Sequence, residues 1–254
     1  MSQREEFSWE PLSPTAAVRV SRSHRFNTDT ILLADFSMPR RGEACADLGT
    51  GCGVIPLLWA LRAQPRAVWG VELQQEAAAL AKQSVEYNKL ENLIKIIQSD
   101  LRDREQLRRC FAPGSLDRMA CNPPYKQAGA GVESREESQR LARHEASCTF
   151  GDIAAAASYF LRWGGKFCCC QRPERLPALM ADLQACGLEP KRLRLVQQRP
   201  QKAPFLFLLE AVRGGRPGLR AEPTLLVEGP CGGWSQEMLD IYGAYKENHK
   251  IRGF

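Results

Sequence analysis

A chain of 254 residues with 44% apolar and 25% charged side chains suits one large α/β domain with a sizeable core. Its net charge of +6, from 35 basic and 29 acidic residues, leans modestly towards anionic partners and excludes neither nucleic acid nor small molecules as substrates. No stretch approaches the ~18 uninterrupted apolar residues of a membrane span, and the acid-bearing N-terminus is neither a signal nor a transit peptide, so a cytoplasmic, monomeric protein without membrane contacts is expected.

Taken in chain order, residues 1–27 form a mixed N-terminal extension, basic towards its end at Arg19, Arg22 and Arg25. Thr28 to Met38 starts a short helix with Thr28 or Asp29 as its cap, and Pro39 to Gly42 breaks it. The spacing then predicts a strand over 44–48, a helix over 54–62, a strand over 67–72, an amphipathic helix over 75–88 and a strand over 93–98. A charged stretch, 101–111, reads as helix or loop, and 116–121 as a fourth strand. Residues 126–146 are polar and Gly-containing and read as a loop passing into a helix. A helix over 153–163 is expected to stop at Gly164-Gly165, followed by a strand over 166–171, a helix over 174–186 ended by Gly187, and closing strands over 192–196 and 205–212. Alternating strands and helices imply parallel βαβ units over a domain of residues 28–213. The tail, 214–254, is rich in Gly and Pro, carries one helical stretch over 235–247, and is expected to pack on that domain.

The ten cysteines include the run Cys168-Cys169-Cys170 but no CxxC pair, and only three histidines are present. A structural zinc site needs clustered thiolates at short spacing, so no metal is expected and the cysteines read as small buried hydrophobes of a reducing compartment.

Chemistry concentrates at the ends of the predicted strands. Asp47-Leu48-Gly49-Thr50-Gly51-Cys52-Gly53 links the first of these strands to its helix, and its glycines permit a tight turn and close approach to a ligand. A dinucleotide site wants G-x-G-x-x-G/A, and its third small residue is here Val54. The pattern acid-x-Gly-x-Gly-x-Gly better fits a zwitterionic, phosphate-free cofactor, because Asp47 suits a cationic ligand and disfavours a pyrophosphate. Glu72 ends the second strand, where a carboxylate can accept from two ribose hydroxyls. Asp100 follows the third strand, where it can accept from an adenine amino group.

Asn122-Pro123-Pro124-Tyr125 follows the fourth strand. The prolines fix an extended backbone, so the Asn122 side-chain oxygen and the Pro123 carbonyl can both accept from one NH₂ group. Tyr125 offers a flat face to a planar base or amide. Such a site works by positioning and by acceptors aimed at the charge developing on nitrogen. A lone Pro-rich turn would mean only the end of a strand.

In this order, the Gly-rich turn, Glu72, Asp100 and Asn-Pro-Pro-Tyr resemble the class I, Rossmann-like methyltransferases of the amino-methylating branch, over about residues 26–212. The stretch Phe26 to Ala34, Arg143-His144-Glu145, and Glu222-Pro223-x-Leu225 narrow the resemblance to the bacterial valine-tRNA adenine-N6 methyltransferase family. The resemblance implies a mainly parallel seven-stranded sheet with an antiparallel closing strand, S-adenosylmethionine as cofactor, and a tRNA adenine beside the anticodon as target. It implies a cofactor surface of Asp47, Gly49, Thr50, Gly51, Glu72, Leu73, Asp100, Leu101 and Asn122. The catalytic set it implies is Asn122, Pro123, Pro124 and Tyr125, with Thr28 and Asp29 nearby. Alternatives share the tetrapeptide: methylation of glutamine in a release factor or another protein, amino-methylation of rRNA or DNA, or a non-catalytic cofactor-binding module. Only 27 residues precede the first expected helix, too few for the helical domain that release-factor enzymes usually carry. Arg135, Arg140 and Arg143 interleave with Glu133, Glu136 and Glu137 as a solvated face or a lid. Lys191, Arg192, Arg194, Arg199, Lys202, Arg213, Arg216 and Arg220 read equally as a solvated surface or as contacts to phosphates.

Overall fold

The computed structural model describes residues 7–123 and 148–243. Pro124, Tyr125, the charged stretch 126–146 and the end of the helix expected over 235–247 lie outside the described residues.

The N-terminal extension holds a hairpin, β1 (Phe7–Ser13) and β2 (Ala16–Ser21), turning at Pro14-Thr15. Then follow α1 (Thr28–Phe36), β3 (Ala44–Leu48), α2 (Val54–Ala63), β4 (Ala67–Glu72), α3 (Gln75–Tyr87), β5 (Ile94–Gln98), α4 (Arg104–Arg108) and β6 (Leu116–Cys121). After residue 148 come α5 (Phe150–Phe160), β7 (Leu161–Gln171), α6 (Leu176–Ala185), β8 (Leu188–Gln197), β9 (Leu206–Arg213), the two-residue strands β10 (Arg220–Ala221) and β11 (Leu225–Leu226), and α7 (Gln236–Tyr242).

The main sheet runs β10-β8-β9-β7-β6-β3-β4-β5, with β11 also paired to β8. β9 is antiparallel to both neighbours, and the other pairings are parallel. This is the mainly parallel, Rossmann-like sheet that the resemblance implies, with seven strands extended to nine at one edge by two short strands from the tail. The order reverses between β3 and β6, which opens a crevice beyond their carboxyl ends. Both faces are covered, so β3 is buried throughout its length. One core layer gathers α1, α2, α3, the hairpin and α7, and the other gathers α4, α5 and α6. Cys168 and Cys170 point into the first layer and Cys169 into the second, each fully buried, as strand alternation requires.

Tail residues Leu225, Val227, Met238, Ile241 and Tyr242 join the first layer. Arg62 Nη1 donates to the Ile241 carbonyl at 2.8 Å.

The helix expected over 153–163 stops at Phe160, and β7 begins at once. Leu161 pairs with Leu116 across the sheet, and its carbonyl accepts from Arg213 Nη1. Gly164, at φ +76°, and Gly165 therefore sit at a strand irregularity and end no helix. A Cβ on Gly165 would lie 2.8 Å from the Arg162 carbonyl oxygen.

Candidate active site

The turn after β3 is held by the neighbouring strand: the Val71 carbonyl accepts from Gly49 N at 2.8 Å and Thr50 N at 3.0 Å. Gly49, Gly51 and Gly53 all have positive φ, at 72°, 56° and 91°. A Cβ on Gly49 or Gly51 would meet nothing within 4 Å, so the open side of the turn is free for a ligand while the backbone conformation keeps side chains out. A Cβ on Gly53 would come 3.2 Å from Ala81 Cβ on α3.

Glu72, at the end of β4, is 5% exposed. Its two carboxylate oxygens accept from Gly51 N and Gln74 N, each at 2.9 Å. These bonds aim the carboxylate at the rim and leave lone pairs on both oxygens. Leu73, next in the chain, is 42% exposed, while Leu101 is half-buried against the second core layer.

Asp47 is buried beneath the turn at 1% exposure. Among the described residues, Asp47 Oδ1 and Thr50 Oγ1 are fully buried and have no well-formed hydrogen bond beyond their approach to each other. Burial pushes the Asp47 carboxyl up to about 8, the Thr50 side chain draws it down, and the charge of Glu72 raises it further. Gly70 on β4 makes room for this arrangement, since a Cβ there would lie 2.9 Å from Thr50 Cγ2 and 2.8 Å from Ile96 Cδ1. A glycine inside a strand is itself a sequence signal of close approach, and here it marks a position that the motif reading missed.

Asp100 sits at the same edge but is engaged by Arg102. The guanidinium Nη2 lies 2.6 Å from Oδ2, and the Arg102 backbone N donates to Oδ1 at 2.9 Å. Hydrogen bonding from Arg102 holds the Asp100 carboxyl below its ordinary value. An adenine amino group would therefore share an acceptor that Arg102 already orients.

Leu48 of β3 pairs with Cys121 of β6, so Asn122 leaves its strand beside Gly49. Asn122 Nδ2 donates to Thr30 Oγ1 at 3.0 Å, and the Cys170 thiol donates to Asn122 Oδ1 at 3.2 Å. Pro123 is buried. The structure thus brings Asp47, Thr50, Glu72 and Asn122 to one crevice. Thr30 lies within the motif stretch Phe26 to Ala34 but with no role of its own there, and Cys170 carries no local signal; the packing of α1 and the order of the sheet bring them to Asn122. A cavity of about 300 Å³ is lined by Asp29, next in the chain to Thr30, and by Arg172, Glu174 and the exposed Phe205.

The basic run over 191–220 is mostly engaged within the fold. Arg192 reaches Glu210, Glu222 and the Phe36 carbonyl, Arg194 pairs with Glu237, Arg220 with Glu222, and Lys191 with the Arg216 carbonyl. The Glu222-Pro223 motif takes part in this, with the Pro223 carbonyl accepting from Arg194 Nε at 3.0 Å.

Residues 21–168, more than half of the chain, match the model of the methyltransferase small domain. The chain belongs to that family. Among its relatives, proteins named tRNA1(Val) (adenine(37)-N6)-methyltransferase come from Proteus mirabilis and Photorhabdus laumondii. The first is 29% identical over 57% of this chain and 55% of its own length. The second is 28% identical over 85% of this chain and 86% of its own length. A crystal structure from Agrobacterium tumefaciens, described as a predicted O-methyltransferase, superposes with a TM-score of 0.68 at 22% identity. It covers 86% of this chain and 97% of that one, and shows the shared fold. Solved structures of this fold include complexes with S-adenosylmethionine.

The protein is a methyltransferase by its family, and S-adenosylmethionine is the molecule those structures hold. The crevice fits that cofactor on its own terms. A buried carboxyl and hydroxyl with no well-formed partner beyond each other suit a polar, cationic ligand, the open glycine turn admits close approach, and the Glu72 carboxylate keeps acceptors to spare for a diol.

Proposed function

We propose that the protein methylates the N6 amino group of an adenine in tRNA, the adenine next to the anticodon of a valine tRNA. The observation that carries this reading is the orientation of Asn122. Its carboxamide is tethered at both ends beside the cofactor turn, with its oxygen on the Cys170 side and its nitrogen on Thr30. The names of the relatives supply the choice of adenine and of tRNA.

Asp47, Gly49, Thr50, Gly51, Glu72, Leu73, Asp100 and Leu101 would hold S-adenosylmethionine, which when bound supplies an electrophilic methyl group. Asn122 Oδ1 and the Pro123 carbonyl accept hydrogen bonds from the target NH₂, fix its position, and stabilise the positive charge that grows on nitrogen. Pro124 and Tyr125 complete the tetrapeptide, Tyr125 as the flat side chain for the base to stack on. A base in a folded RNA must first leave its stack, and the cavity between Asp29, Arg172 and Phe205 offers space and an aromatic edge for neighbouring nucleotides.

The test incubates the protein with methyl-labelled cofactor and, separately, bulk tRNA and a release factor. Label in tRNA, recovered as N6-methyladenosine after nuclease digestion, is the expected outcome. Label in protein alone overturns the tRNA reading and favours glutamine as the acceptor.

A further inference from the structure

An asparagine carboxamide has two ends of nearly equal size, and only one can receive an amine. With Oδ1 towards the substrate NH₂, Asn122 accepts a hydrogen bond and meets the developing positive charge with a negative dipole. Turned by half a rotation, it would present N–H against N–H. Something in the fold must choose between these two states.

We infer that Thr30 and Cys170 are positioning residues that hold the Asn122 carboxamide in the accepting orientation, through a directional hydrogen-bond chain anchored on Asp29. This rests on the reading that Asn122 receives the target amine. The direction follows from the donors. Asn27, the N-cap of α1, accepts at Oδ1 from both Thr30 N and Thr30 Oγ1, each at 3.2 Å. The single hydroxyl proton of Thr30 therefore points away from Asn122, and its oxygen offers a lone pair to Asn122 Nδ2 at 3.0 Å. Asn27 Nδ2 in turn donates to Asp29 Oδ2 at 3.4 Å. Every donor from Asn122 onward thus points towards a carboxylate. At the other end the Cys170 thiol, on the strand beside β6, donates to Oδ1 at 3.2 Å.

Two consequences follow. The flipped carboxamide would set N–H against the thiol and C=O against the Thr30 lone pair, so both tethers disfavour it. A chain of donors ending on a carboxylate also polarises the amide, drawing its N–H protons outward and enriching Oδ1 in electron density. A thiol is a weak donor, so Cys170 sets the orientation without exhausting the oxygen's capacity to accept the target amine. The stretch Asn27-Thr28-Asp29-Thr30 then serves as an orienting arm as well as a helix cap.

Thr30→Val is the decisive variant, because valine keeps the shape and the backbone N–H that Asn27 caps, and removes only the hydroxyl. We expect kcat to fall about tenfold, with the Kd for S-adenosylmethionine and the KM for RNA unchanged within about twofold. Thr30→Ser should restore kcat. Cys170→Ala should lower kcat several-fold, with Cys170→Ser restoring it. A second readout needs no turnover: in ¹⁵N-labelled protein the side-chain N–H signals of Asn122, identified by their loss in Asn122→Ala, should move in Thr30→Val and stay in place in Thr30→Ser. Wild-type kcat in Thr30→Val, or equal losses in Val and Ser variants together with lowered cofactor binding, overturns the inference in favour of a plain structural cap. Unmoved Asn122 signals in Thr30→Val overturn it as well. If Asn122→Ala itself retains full transfer, the underlying reading of Asn122 fails. If Asn122→Ala is inactive while Thr30→Val is fully active, only the orienting chain fails.

Discussion

Two buried carboxyl groups in the same sheet behave in opposite ways. Glu210 on β9 is 4% exposed, and Asp47 on β3 is 1% exposed. Around Glu210 the fold supplies Lys166 Nζ at 2.9 Å, Arg192 Nη2 at 3.2 Å and Arg118 Nη1 at 3.4 Å. Burial alone would raise that carboxyl, but the Lys166 hydrogen bond and the cationic charges carry it below its ordinary value. Around Asp47 no cation lies among the described residues, and burial pushes the group up to about 8. The network at Glu210 is complete within the chain and holds four strands in register. Among the described residues the crevice at Asp47 has no such network, and under the proposed function the cofactor is its partner. Substitutions should therefore separate the two regions: at the crevice they cost function, and at the network they cost stability.

The largest effect is expected at Asn122. Asn122→Ala should lower kcat by about 1000-fold or more, because a positioned acceptor is lost where charge develops. Cofactor affinity by calorimetry should stay near wild type; a parallel collapse of that affinity would place Asn122 in the cofactor site and break the division of labour. Next comes Glu210→Gln, which leaves the buried Arg118 with Glu43 as its remaining partner at 3.1 Å. Stability should fall by about 3 kcal/mol in urea titrations at neutral pH, with cofactor affinity unchanged. Since the Glu210 carboxyl is depressed, its contribution is present above the ordinary carboxylate range and disappears as the pH falls through its folded value. The gap between variant and wild type should close in acid, and a gap independent of pH would show that packing, not charge, is at stake.

The sheet was legible in the sequence because its parallel strands are short apolar runs punctuated by glycine, proline and acids. Asp47, Glu72 and Asp100 could be placed at strand ends before any coordinates. The end of α5 was not legible. Ile153 to Trp163 has a helical pattern throughout, and only the pairing of Leu161 with Leu116 pulls its last residues into β7. The hairpin escaped for a different reason, since Pro11 and Pro14 interrupt an alternation in which Val18 and Val20 are buried and Arg19 half-exposed. In the site, Thr30 and Cys170 meet Asn122 from 92 and 48 residues away. Local pattern holds no record of such distances. Asp100 follows β5 as its place in the pattern implies, but its engagement by Arg102 depends on a rotamer that no motif encodes.

The Asp47 titration sharpens the contrast further. With the folded carboxyl raised to about 8 from an ordinary 3.8, its contribution to stability is full below that ordinary value and is lost as the pH climbs through the folded one. In the cofactor-free protein, Asp47→Asn should match wild type in stability below the ordinary carboxylate value of 3.8, gain on it steadily as the pH rises, and exceed it by a constant margin above about pH 8. Binding of a cationic cofactor favours the carboxylate, so wild-type affinity should strengthen with rising pH and binding should release a proton near neutrality. Calorimetry in buffers of different ionisation enthalpy measures that proton. Asp47→Asn should lose about 30-fold in affinity, together with the pH dependence. A wild-type affinity flat between pH 6 and about 9 would detach Asp47 from the cofactor.

The smallest effect separates space from charge. Gly70 does not need a positive φ, so an alanine there meets only crowding, from Ile96 Cδ1 at 2.8 Å and Thr50 Cγ2 at 2.9 Å. Both are ends of side chains and can shift. The cost in stability should be about 1–2 kcal/mol, typical of one methyl too many in a packed site. Thr50 is the neighbour that gives way more easily, because it lies on a turn, while Ile96 is pinned within β5 between the strand ladder and the core. A displaced Thr50 carries its Oγ1 away from Asp47, so cofactor affinity should drop several-fold although no charge has changed. Gly70→Ala with Thr50→Ala should recover stability and leave affinity low. If the double variant regains affinity as well, the Thr50 hydroxyl contributes nothing to the ligand, and the incompleteness of the crevice reduces to Asp47 alone.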